Sequence, residues 1–410
     1  MNGAVPAYDL AIVGGGLVGA SLAAALRHTP LRIALIEAHA PDSAAQPSFD
    51  ERTTALGNAS RRIFEGLGIW KTLEAAAAPI TAIHVSDAAR FGFARLAARD
   101  FGQQALGYVV PNRVLGRTLW DVLQATPSLQ TFMPARLLSM RTGEQQAELT
   151  LQTATGPAVL HARLVVAADG AQSVVRDACG LGAQVDDYGQ VAIVASLRTD
   201  LANDGVAYER FTSAGPMALL PLASAGPGHW RTLVWAASPD DAGRLMQLPD
   251  AAFLAEWQRA FGWRAGRALQ SGRRARYPLA LSRAQAQLAP RTLLLGNAAQ
   301  TLHPVAGQGF NLGLRDVADL AELLGEAPAD PGSVEVVAAY AARRRADREG
   351  VIGFTDTLVR MFSTGHPLVG AARDAGLLLF DVLPPAKRAL SRVSLGFGAR
   401  TPRLARGLLP

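Results

Sequence analysis

The chain has 410 residues, of which 49% are hydrophobic and 18% are charged; this excludes a disordered protein and, since one core serves roughly 250–300 residues, favours two packed domains. Its formal net charge is +6, and its lysines are Lys71 and Lys387, so its basicity comes almost entirely from arginine. The arginines are scattered rather than interleaved with aromatic residues, which argues against nucleic-acid binding and leaves either a compositional bias or attraction to an anionic lipid or phosphorylated cofactor.

The first predicted elements are an apolar strand over residues 10–13, a glycine turn and a helix rich in alanine and leucine. The turn contains Gly14, Gly16 and Gly19 in the pattern G-x-G-x-x-G. In this context the first glycine permits a tight turn, the second lets the backbone approach a pyrophosphate, and the third lets the helix pack closely on the strand. No basic segment followed by an apolar core precedes the strand, and no long uncharged apolar run occurs, so neither a secretory signal nor a membrane span is expected.

A second strand is predicted over residues 31–36 and ends in Glu37, which lies 18 residues after Gly19. An acidic side chain at this spacing accepts hydrogen bonds from a ribose hydroxyl. Its charge disfavours a 2′-phosphate, so the site should bind FAD or NAD rather than NADP.

The next two segments predict further strands and helices. Arg52 lies in the segment DERTTAL, and the helix after it is expected to have Asn58 or Ser60 as its N-cap. The segment YVVPNRVLGRTLWDVL predicts a strand followed by a helix, with Pro111 near the helix start and Asn112 in its first turn.

Another buried strand, over residues 164–168, ends in Asp169 and Gly170, and a helix begins near Ser173. An Asp-Gly pair after a strand is typical of an ordinary turn as well as of a ligand site. Cys179 is the single cysteine, so an internal disulfide is impossible and a cytoplasmic location is expected. No cluster of metal ligands is visible in the sequence, and no metal is expected.

Residues 191–281 contain short runs rich in β-branched and aromatic residues, separated by Gly, Pro, Ser and Asp. They predict an antiparallel sheet, and residues 80–98 predict a hairpin of the same kind. Residues 293–316, LLLGNAAQTLHPVAGQGFNLGLRD, then predict a strand, a loop and a glycine-rich turn that opens a helix. A second G-x-G-x-x-G is absent from the sequence, so a separate nicotinamide-binding Rossmann domain is not expected.

The chain resembles the single-component FAD-dependent aromatic hydroxylases with the para-hydroxybenzoate hydroxylase fold and, more narrowly, the hydroxylases of ubiquinone biosynthesis. Three motifs carry the resemblance: the glycine turn with Glu37, the segment ADGAQSVVR at residues 168–176, and the segment GNAAQTLHPVAGQGFNLGLRD at residues 296–316. The general family has Asp and His where this chain has Asn297 and Gln300. At these two positions the chain resembles the branch of the family that hydroxylates 2-polyprenyl-6-methoxyphenol para to the phenol oxygen.

The resemblance implies an α/β fold, in which a Rossmann-like FAD-binding domain is interrupted by an antiparallel β-sheet substrate domain and followed by C-terminal helices. The FAD-binding domain would comprise residues 1–78, 99–182 and 283–328. The substrate domain would comprise residues 79–98 and 183–282, and residues 329–410 would form the C-terminal helical region.

The residues that the resemblance assigns to FAD are Gly14, Gly16, Leu17, Val18, Gly19, Glu37, Arg52, Asn112, Leu137, Asp169, Gly170, Asn297, Pro304, Gly307, Gln308, Gly309, Phe310 and Asn311. Glu37 would bind the adenosine ribose, Arg52 and Asn112 would reach toward the flavin, and the backbone of Leu137 would contact adenine. Asp169 and its neighbouring glycine would bridge FAD and NAD(P)H.

The loop after residue 296 would hold the reacting end of FAD. Asn297 would hydrogen-bond the ribityl or pyrophosphate region, and an amide there removes one negative charge relative to the Asp of the general family. Backbone N–H groups of residues 307–311 would stabilise the negative edge of the reduced flavin at a helix N-terminus. His303 and Pro304 are candidates to shape the pocket where oxygen reacts, although His303 more simply stabilises the loop by a backbone hydrogen bond.

The implied activity is hydroxylation of a polyprenylated phenol. NAD(P)H would reduce FAD, O₂ would form a flavin C4a-hydroperoxide, and one oxygen atom would pass to the phenol ring. No catalytic base is identified. His84, Tyr188 and Tyr208 lie in the predicted substrate domain and could approach the substrate, but each is more simply a packing residue.

Alternatives remain for the function and for the partners. The chain could be a related flavin reductase or dehydrogenase without oxygen insertion, or a non-catalytic, flavin-stabilised scaffold of a biosynthetic assembly. The apolar C-terminal region predicts either core helices that cover the FAD-binding domain or a surface for peripheral membrane contact. A lipid carrier could also deliver a polyprenyl substrate. A multiprotein complex of ubiquinone biosynthesis is a further possible partner. The oligomeric state is not predicted.

Overall fold

A computed structural model describes residues 5–40, 43, 46, 50, 52–88, 93–212, 214–223, 228–326, 328–363 and 401–409. The strands are β1 (Ala7–Val13), β2 (Ile33–Ile36), β3 (Thr53–Gly57), β4 (Ala78–Ile80), β5 (Ala82–Asp87), β6 (Phe93–Ala97), β7 (Gly107–Pro111), β8 (Leu129–Phe132), β9 (Ala135–Thr142), β10 (Ala147–Thr153), β11 (Gly156–Ala167), β12 (Ala183–Thr199), β13 (Val206–Thr212), β14 (Gly215–Pro221), β15 (His229–Ala237), β16 (Ala268–Ser271), β17 (Ala275–Ala284), β18 (Leu288–Ala289), β19 (Thr292–Leu294) and β20 (Gln300–Thr301). The α-helices are α1 (Leu17–Leu26), α2 (Asn58–Gly66), α3 (Trp70–Glu74), α4 (Asn112–Gln124), α5 (Val174–Ala178), α6 (Pro239–Gln247), α7 (Asp250–Phe261), α8 (Gln308–Gly325) and α9 (Val334–Ser363).

The first sheet has the order β18-β19-β11-β1-β2-β8, and its strands from β19 to β8 are parallel. Residues of β1 alternate between two cores, because Leu10 and Ile12 face one side while Ala11 and Val13 face the other. A parallel strand that is buried on both faces requires such a continuous apolar run. Helices α1, α4 and α8 cover one face. The sheet is extended by antiparallel pairing of β10 with β11 and of β9 with β10.

The second sheet has the order β20-β17-β12-β15-β14-β13-β5-β6, with β16 beside β12. Its pairs are antiparallel except for β13 with β5, which are parallel. Helices α6 and α7 cover one face, where Trp257 and Phe253 lie in a buried core. A third sheet has three strands in the order β3-β7-β4. Along the chain, β3 and β4 come between β2 of the first sheet and β5 of the second, and β7 comes between β6 of the second and β8 of the first.

This architecture confirms the predicted α/β fold with a sheet-based second domain. The exact domain boundaries stay predictions. One short strand crosses them, since β20 lies within the segment assigned to the FAD-binding domain yet pairs with β17 of the second sheet. The predicted cap of α2 is wrong, because Gly57 is the N-cap, Asn58 donates to the carbonyl oxygen of Ala105, and Ser60 donates to Asn311.

The described part of the C-terminal region packs on the first domain. Helix α9 runs along α8, and Leu404 and Ala405 lie in the core that contains α1 and α2. The rest of the predicted apolar surface, residues 364–400, lies outside the described residues. Within the described ranges, no helix has the length and apolarity needed to cross a membrane.

Candidate cofactor and substrate site

The turn between β1 and α1 leaves no room for side chains at two of its glycines. Gly14 has a φ of +102°, and a Cβ atom there would lie 2.7 Å from the backbone nitrogen of Asp169. A Cβ atom on Gly19 would overlap the carbonyl oxygen of Gly14, so the helix packs directly on the turn. Gly16 is extended, with φ −65° and ψ −174°, and lies at the helix N-terminus on the wall of a large cavity. The backbone therefore has the shape that a pyrophosphate-binding turn requires.

Glu37 is buried directly after β2, and its carboxylate accepts two backbone hydrogen bonds. The N–H of Gly15 donates to one oxygen at 2.6 Å and that of His39 to the other at 2.8 Å. The indole N–H of Trp120 donates to the carbonyl oxygen of Gly15 at 3.1 Å, and a Cβ atom on Gly15 would lie 2.7 Å from the indole ring. A carboxylate accepts about four hydrogen bonds, so Glu37 keeps the capacity to accept ribose hydroxyls.

A cavity of about 980 Å³ joins this turn to the second sheet. The predicted cofactor residues on its wall are Gly16, Leu17, Val18, Arg52, Asn112, Gly170, Asn297, Pro304, Gly307, Gln308, Gly309, Phe310 and Asn311. The opposite wall is the face of the second sheet away from α6 and α7, and it is mostly apolar. The cavity thus connects a dinucleotide-type turn with an apolar surface.

Arg52 and Asn112 lie together on the cavity wall, at the ends of the third-sheet strands β3 and β7. The Arg52 guanidinium pairs with Asp50 at 2.7 Å and stacks over the Tyr277 ring at 4.5 Å. Tyr277 in turn donates to Asp50 at 2.8 Å. Asn112 begins α4 and accepts a hydrogen bond from the Thr54 hydroxyl at 2.7 Å. Sequence patterns do not indicate Tyr277, because its partner Asp50 lies far away in the sequence.

Asn297 and Gln300 have different environments, although both belong to the same loop. The Asn297 side chain is exposed on the cavity wall. Gln300 is buried, and its amide reaches Asp316 of α8 and Gln287 at 3.5 and 3.4 Å. Of the two, only Asn297 can contact a molecule in the cavity.

His303 stabilises the loop, as expected. Its Nδ1 accepts a hydrogen bond from the N–H of Val305 at 3.1 Å, and its ring packs edge-on against Tyr188. Burial lowers the pKa of His303 to about 4, so the ring is neutral at physiological pH. Because Nδ1 accepts, the hydrogen of the neutral ring lies on Nε2.

Helix α8 begins at the cavity and is held there by Asn311. Gly307, with a φ of +60°, precedes the helix. The Asn311 side chain accepts from the N–H of Gly57 and the hydroxyl of Ser60, and it donates to the carbonyl oxygens of Ala55 and Gly307. These four hydrogen bonds fix the helix N-terminus, where backbone N–H groups favour negative charge.

Five predicted cofactor residues do not line the cavity within the described part of the chain. Gly14, Gly19 and Glu37 belong to the turn described above, and the other two are Asp169 and Leu137. Asp169 is half-buried; its carboxylate accepts from the N–H of Val175 at 3.2 Å, and desolvation by the protein raises its pKa. Leu137 packs in the core between β9 and β10. The contacts of both with a cofactor stay predictions.

The three aromatic or imidazole candidates of the second sheet have partners outside the cavity. His84 accepts from Arg264 at 2.6 Å, Tyr208 donates to the Arg264 carbonyl oxygen at 3.3 Å, and Tyr188 donates to Asp356 at 3.1 Å. Tyr208 nevertheless lies on the cavity wall, and so does Glu209, which was not predicted. Its position could have been predicted from the sequence, because the alternation of side chains along β13 places Glu209 on the same face as Ala207 and Phe211. Among the described residues, no group of three metal-binding side chains occurs.

Comparisons with known proteins show what the chain is similar to. The sequence profile of the FAD binding domain matches residues 7–355. The chain is 37% identical to a ubiquinone hydroxylase of Rhodospirillum rubrum, over 98% of this chain and 93% of that protein. It is 33% identical to the 3-demethoxyubiquinol 3-hydroxylase of Escherichia coli, over 95% and 98%. The fold matches a p-nitrophenol 4-monooxygenase of Pseudomonas putida with a TM-score of 0.80 and 17% identity, over 96% and 99% of the two chains.

Proposed function

The chain belongs to the FAD-binding monooxygenases of the ubiquinone-biosynthesis hydroxylase family, and on this premise we propose that it hydroxylates 2-polyprenyl-6-methoxyphenol with FAD, NAD(P)H and O₂. The observation that carries the proposal is the cavity, which joins the glycine turn and the start of α8 to an apolar sheet face. One end suits a dinucleotide, and the other suits an apolar phenol.

The residues of the first domain fit FAD. The glycine turn would hold its pyrophosphate, Glu37 its adenosine ribose, and the exposed amide of Asn297 its central part. The N-terminus of α8 would face the flavin edge on which negative charge develops. When bound and reduced by NAD(P)H, FAD would activate O₂, and one oxygen atom of O₂ would pass to the substrate.

The second sheet fits a substrate with a long apolar tail. Ile83, Leu96, Leu220 and Leu279 line the cavity beside smaller residues such as Ala192. Such a surface excludes water and gives favourable contacts to a polyprenyl chain. The proposed methoxyphenol ring and para position rest on the branch resemblance at Asn297 and Gln300. Peripheral membrane contact, a lipid carrier and a multiprotein complex stay predictions about how the substrate arrives.

Product analysis with ¹⁸O₂ tests the function. Purified, FAD-loaded protein is incubated with NADH or NADPH and with methoxylated and unmethoxylated prenylphenols, and products are identified by mass and NMR spectroscopy. We expect one ¹⁸O atom on the carbon para to the phenol oxygen of the methoxylated substrate. A product without ¹⁸O would leave the dehydrogenase or scaffold alternatives, and a colourless protein that FAD does not stabilise would overturn every flavin-based function.

A further inference from the structure

Glu209 projects from an otherwise apolar part of the second sheet. It lies on β13 directly opposite Ala218 of β14 and Val85 of β5. Ala207 and Phe211, two residues away on either side, line the same cavity. A carboxyl group is therefore set among apolar side chains on the wall where the substrate is proposed to bind.

The Glu209 carboxyl has no hydrogen bond or ion pair to any residue that the structure describes. Burial raises its pKa to about 7, with no charged neighbour contributing to the shift. Its side chain is only half-buried because the accessible part faces the cavity. Placing an unpaired carboxyl in apolar surroundings is unfavourable, and such groups are concentrated at functional sites.

Glu209 also lies beside the loop that leads to α8. A small pocket is shared by Glu209, His303, Pro304 and Val305, together with Ala218 and Val234 of the sheet. Phe211 packs against Val305 and anchors β13 to the loop. The carboxyl is thus close to the predicted position of the reacting end of FAD, and His303 is the titratable neighbour among the described residues of this pocket.

The other charged or titratable groups on the cavity wall are already engaged. Arg52 pairs with Asp50, and the hydroxyl of Tyr277 donates to the same carboxylate. The hydroxyl of Tyr208 donates to the carbonyl oxygen of Arg264. His303 cannot accept a proton at Nδ1 without losing the hydrogen bond from Val305, and its Nε2 already carries hydrogen. Among the described residues of the wall, Glu209 is therefore the group best suited to accept a proton.

We propose that Glu209 is the catalytic residue that accepts the proton of the substrate's phenol hydroxyl; this deepens and rests on the proposed function. The O–H bond of the phenol breaks, an O–H bond forms on the carboxylate, and the electron pair stays on the ring oxygen. This electron pair increases the nucleophilicity of the para carbon as that carbon receives one oxygen atom of O₂. NAD(P)H is the reductant, and the second oxygen atom leaves as water. Glu209 returns its proton to the ring oxygen when the para carbon loses its own hydrogen to solvent as a proton.

The test compares the FAD-loaded wild type with Glu209→Gln and Glu209→Asp between pH 5.5 and 8.5. Product formation with a prenylated methoxyphenol is measured, together with flavin absorbance and substrate affinity. In the wild type, kcat/KM should rise with pH through an inflection near 7, since the carboxylate is the active form. Glu209→Gln should lower kcat about 100-fold or more and abolish the inflection, while flavin content and substrate affinity change little.

Two further variants separate a proton acceptor from a packing residue. Glu209→Asp keeps the carboxylate and should retain the inflection with a reduced kcat. Glu148→Gln removes an exposed carboxylate of β10 that faces His161 of β11, and it should behave like the wild type. Hydroxylation by Glu209→Gln within threefold of the wild type, with the same inflection, would overturn the role of Glu209 while the proposed function stands. Absence of hydroxylation by the wild type would overturn both.

Discussion

Asn297 and Gln300 show how two neighbouring residues of one loop act through different surroundings. Asn297 faces the cavity, whereas Gln300 is buried against Asp316. Both residues are the basis of the resemblance to the 2-polyprenyl-6-methoxyphenol branch of the family. The sequence alone does not show which of the two contacts the cofactor. The position of Gln300 depends on the pairing of β20 with β17, a contact between segments that were assigned to different domains.

Substitution of these two residues should have separable effects. Asn297→Asp adds a negative charge where the FAD phosphates are predicted, so we expect FAD to bind up to about tenfold more weakly, which corresponds to about 1.4 kcal/mol. Gln300→Glu places a carboxylate against the buried Asp316, so it should lower the thermal unfolding temperature without changing FAD affinity. Fluorescence titration with FAD and thermal unfolding of both variants measure this. Equal effects of both variants on FAD affinity would contradict the assignment of Asn297 alone to the cavity.

Glu209 could have been found from the alternation of β13, but its importance could not. A glutamate in a strand is usually a residue on the face that is exposed to solvent. In this protein the face is covered by the first domain across a cavity, which depends on the tertiary arrangement of the sheets. The burial that raises the pKa of Glu209 is therefore a property that local sequence does not contain.

The same burial predicts a pH-dependent stability difference between Glu209→Gln and the wild type. The pKa of Glu209 rises from 4.5 to about 7 on folding, so the folded state binds more protons between these values and becomes less stable as pH rises through this window. Glutamine removes this effect. The stability advantage of the variant should therefore grow from pH 4.5 to pH 8, by about 3 kcal/mol at most.

Urea unfolding of both apoproteins across this pH range measures the difference. His303 has the opposite effect, since its pKa falls to about 4 on folding and stability is lost as pH decreases from 6.5. That contribution is common to both proteins and cancels when they are compared. A stability difference that stays constant with pH would mean that Glu209 is solvated like an ordinary surface carboxyl.

At the scale of elements, buried ion pairs attach α9 to α8. Arg344 of α9 contacts Asp316 at 2.6 Å and Asp319 at 3.1 Å, both on α8. Arg348 reaches Asp316 at 3.2 Å, and Arg315 of α8 reaches Asp347 at 2.8 Å. Since Gln300 also contacts Asp316, these charges support the helix whose N-terminus faces the cavity.

Removing Arg344 should destabilise the protein strongly. Arg344→Met leaves Asp316 and Asp319 with fewer partners in a buried site, and breaking such a pair costs about 3–5 kcal/mol. Arg244→Ala is the matched control, because its ion pairs with Asp241 and Glu256 lie at the surface and each should contribute about 1 kcal/mol or less. Chemical denaturation of both variants measures the difference. Similar unfolding midpoints for Arg344→Met and the wild type would contradict a stabilising role for the cluster.

The elements that sequence patterns predicted are those with strong local signals. The strand and turn of β1 and α1 follow from apolar residues and glycines, and α4 begins at Asn112 after Pro111 as expected. Helices α6 and α7 were not separated from the surrounding strands, although Ser238 caps α6 and Pro239 follows it. The N-cap of α2 was wrong because Asn58 and Ser60 make their hydrogen bonds to distant segments. Local rules fail where side chains serve tertiary contacts.

At the scale of the whole molecule, the three sheets meet at one cavity. The first sheet contributes the glycine turn, and the second sheet contributes the apolar wall. The third sheet contributes strand β3, Thr53–Gly57, and Asn112 directly after its strand β7. The sequence motifs predicted the cofactor end, because glycines and the strand-terminal Glu37 have fixed local roles. They did not predict the enclosed wall, since its residues come from strands that are distant in the chain.

Because FAD would bridge these parts, it should stabilise the whole molecule in proportion to the contacts it makes. At 100 times its dissociation constant, a ligand that binds only the folded state contributes about 2.7 kcal/mol. We expect FAD to raise the unfolding temperature of the apoprotein in a concentration-dependent way. ADP should raise it less, because it can reach only the glycine turn and Glu37.

Gly16→Val tests whether this stabilisation begins at the glycine turn. A valine side chain would project into the cavity where the backbone is predicted to meet the pyrophosphate, so neither FAD nor ADP should raise the unfolding temperature of the variant. Gly243→Ala adds a methyl group in open space on α6, away from the cavity, and should respond to both ligands like the wild type. Thermal scans at several ligand concentrations compare the three proteins. If Gly16→Val responds to FAD as strongly as the wild type does, the pyrophosphate does not bind at this turn.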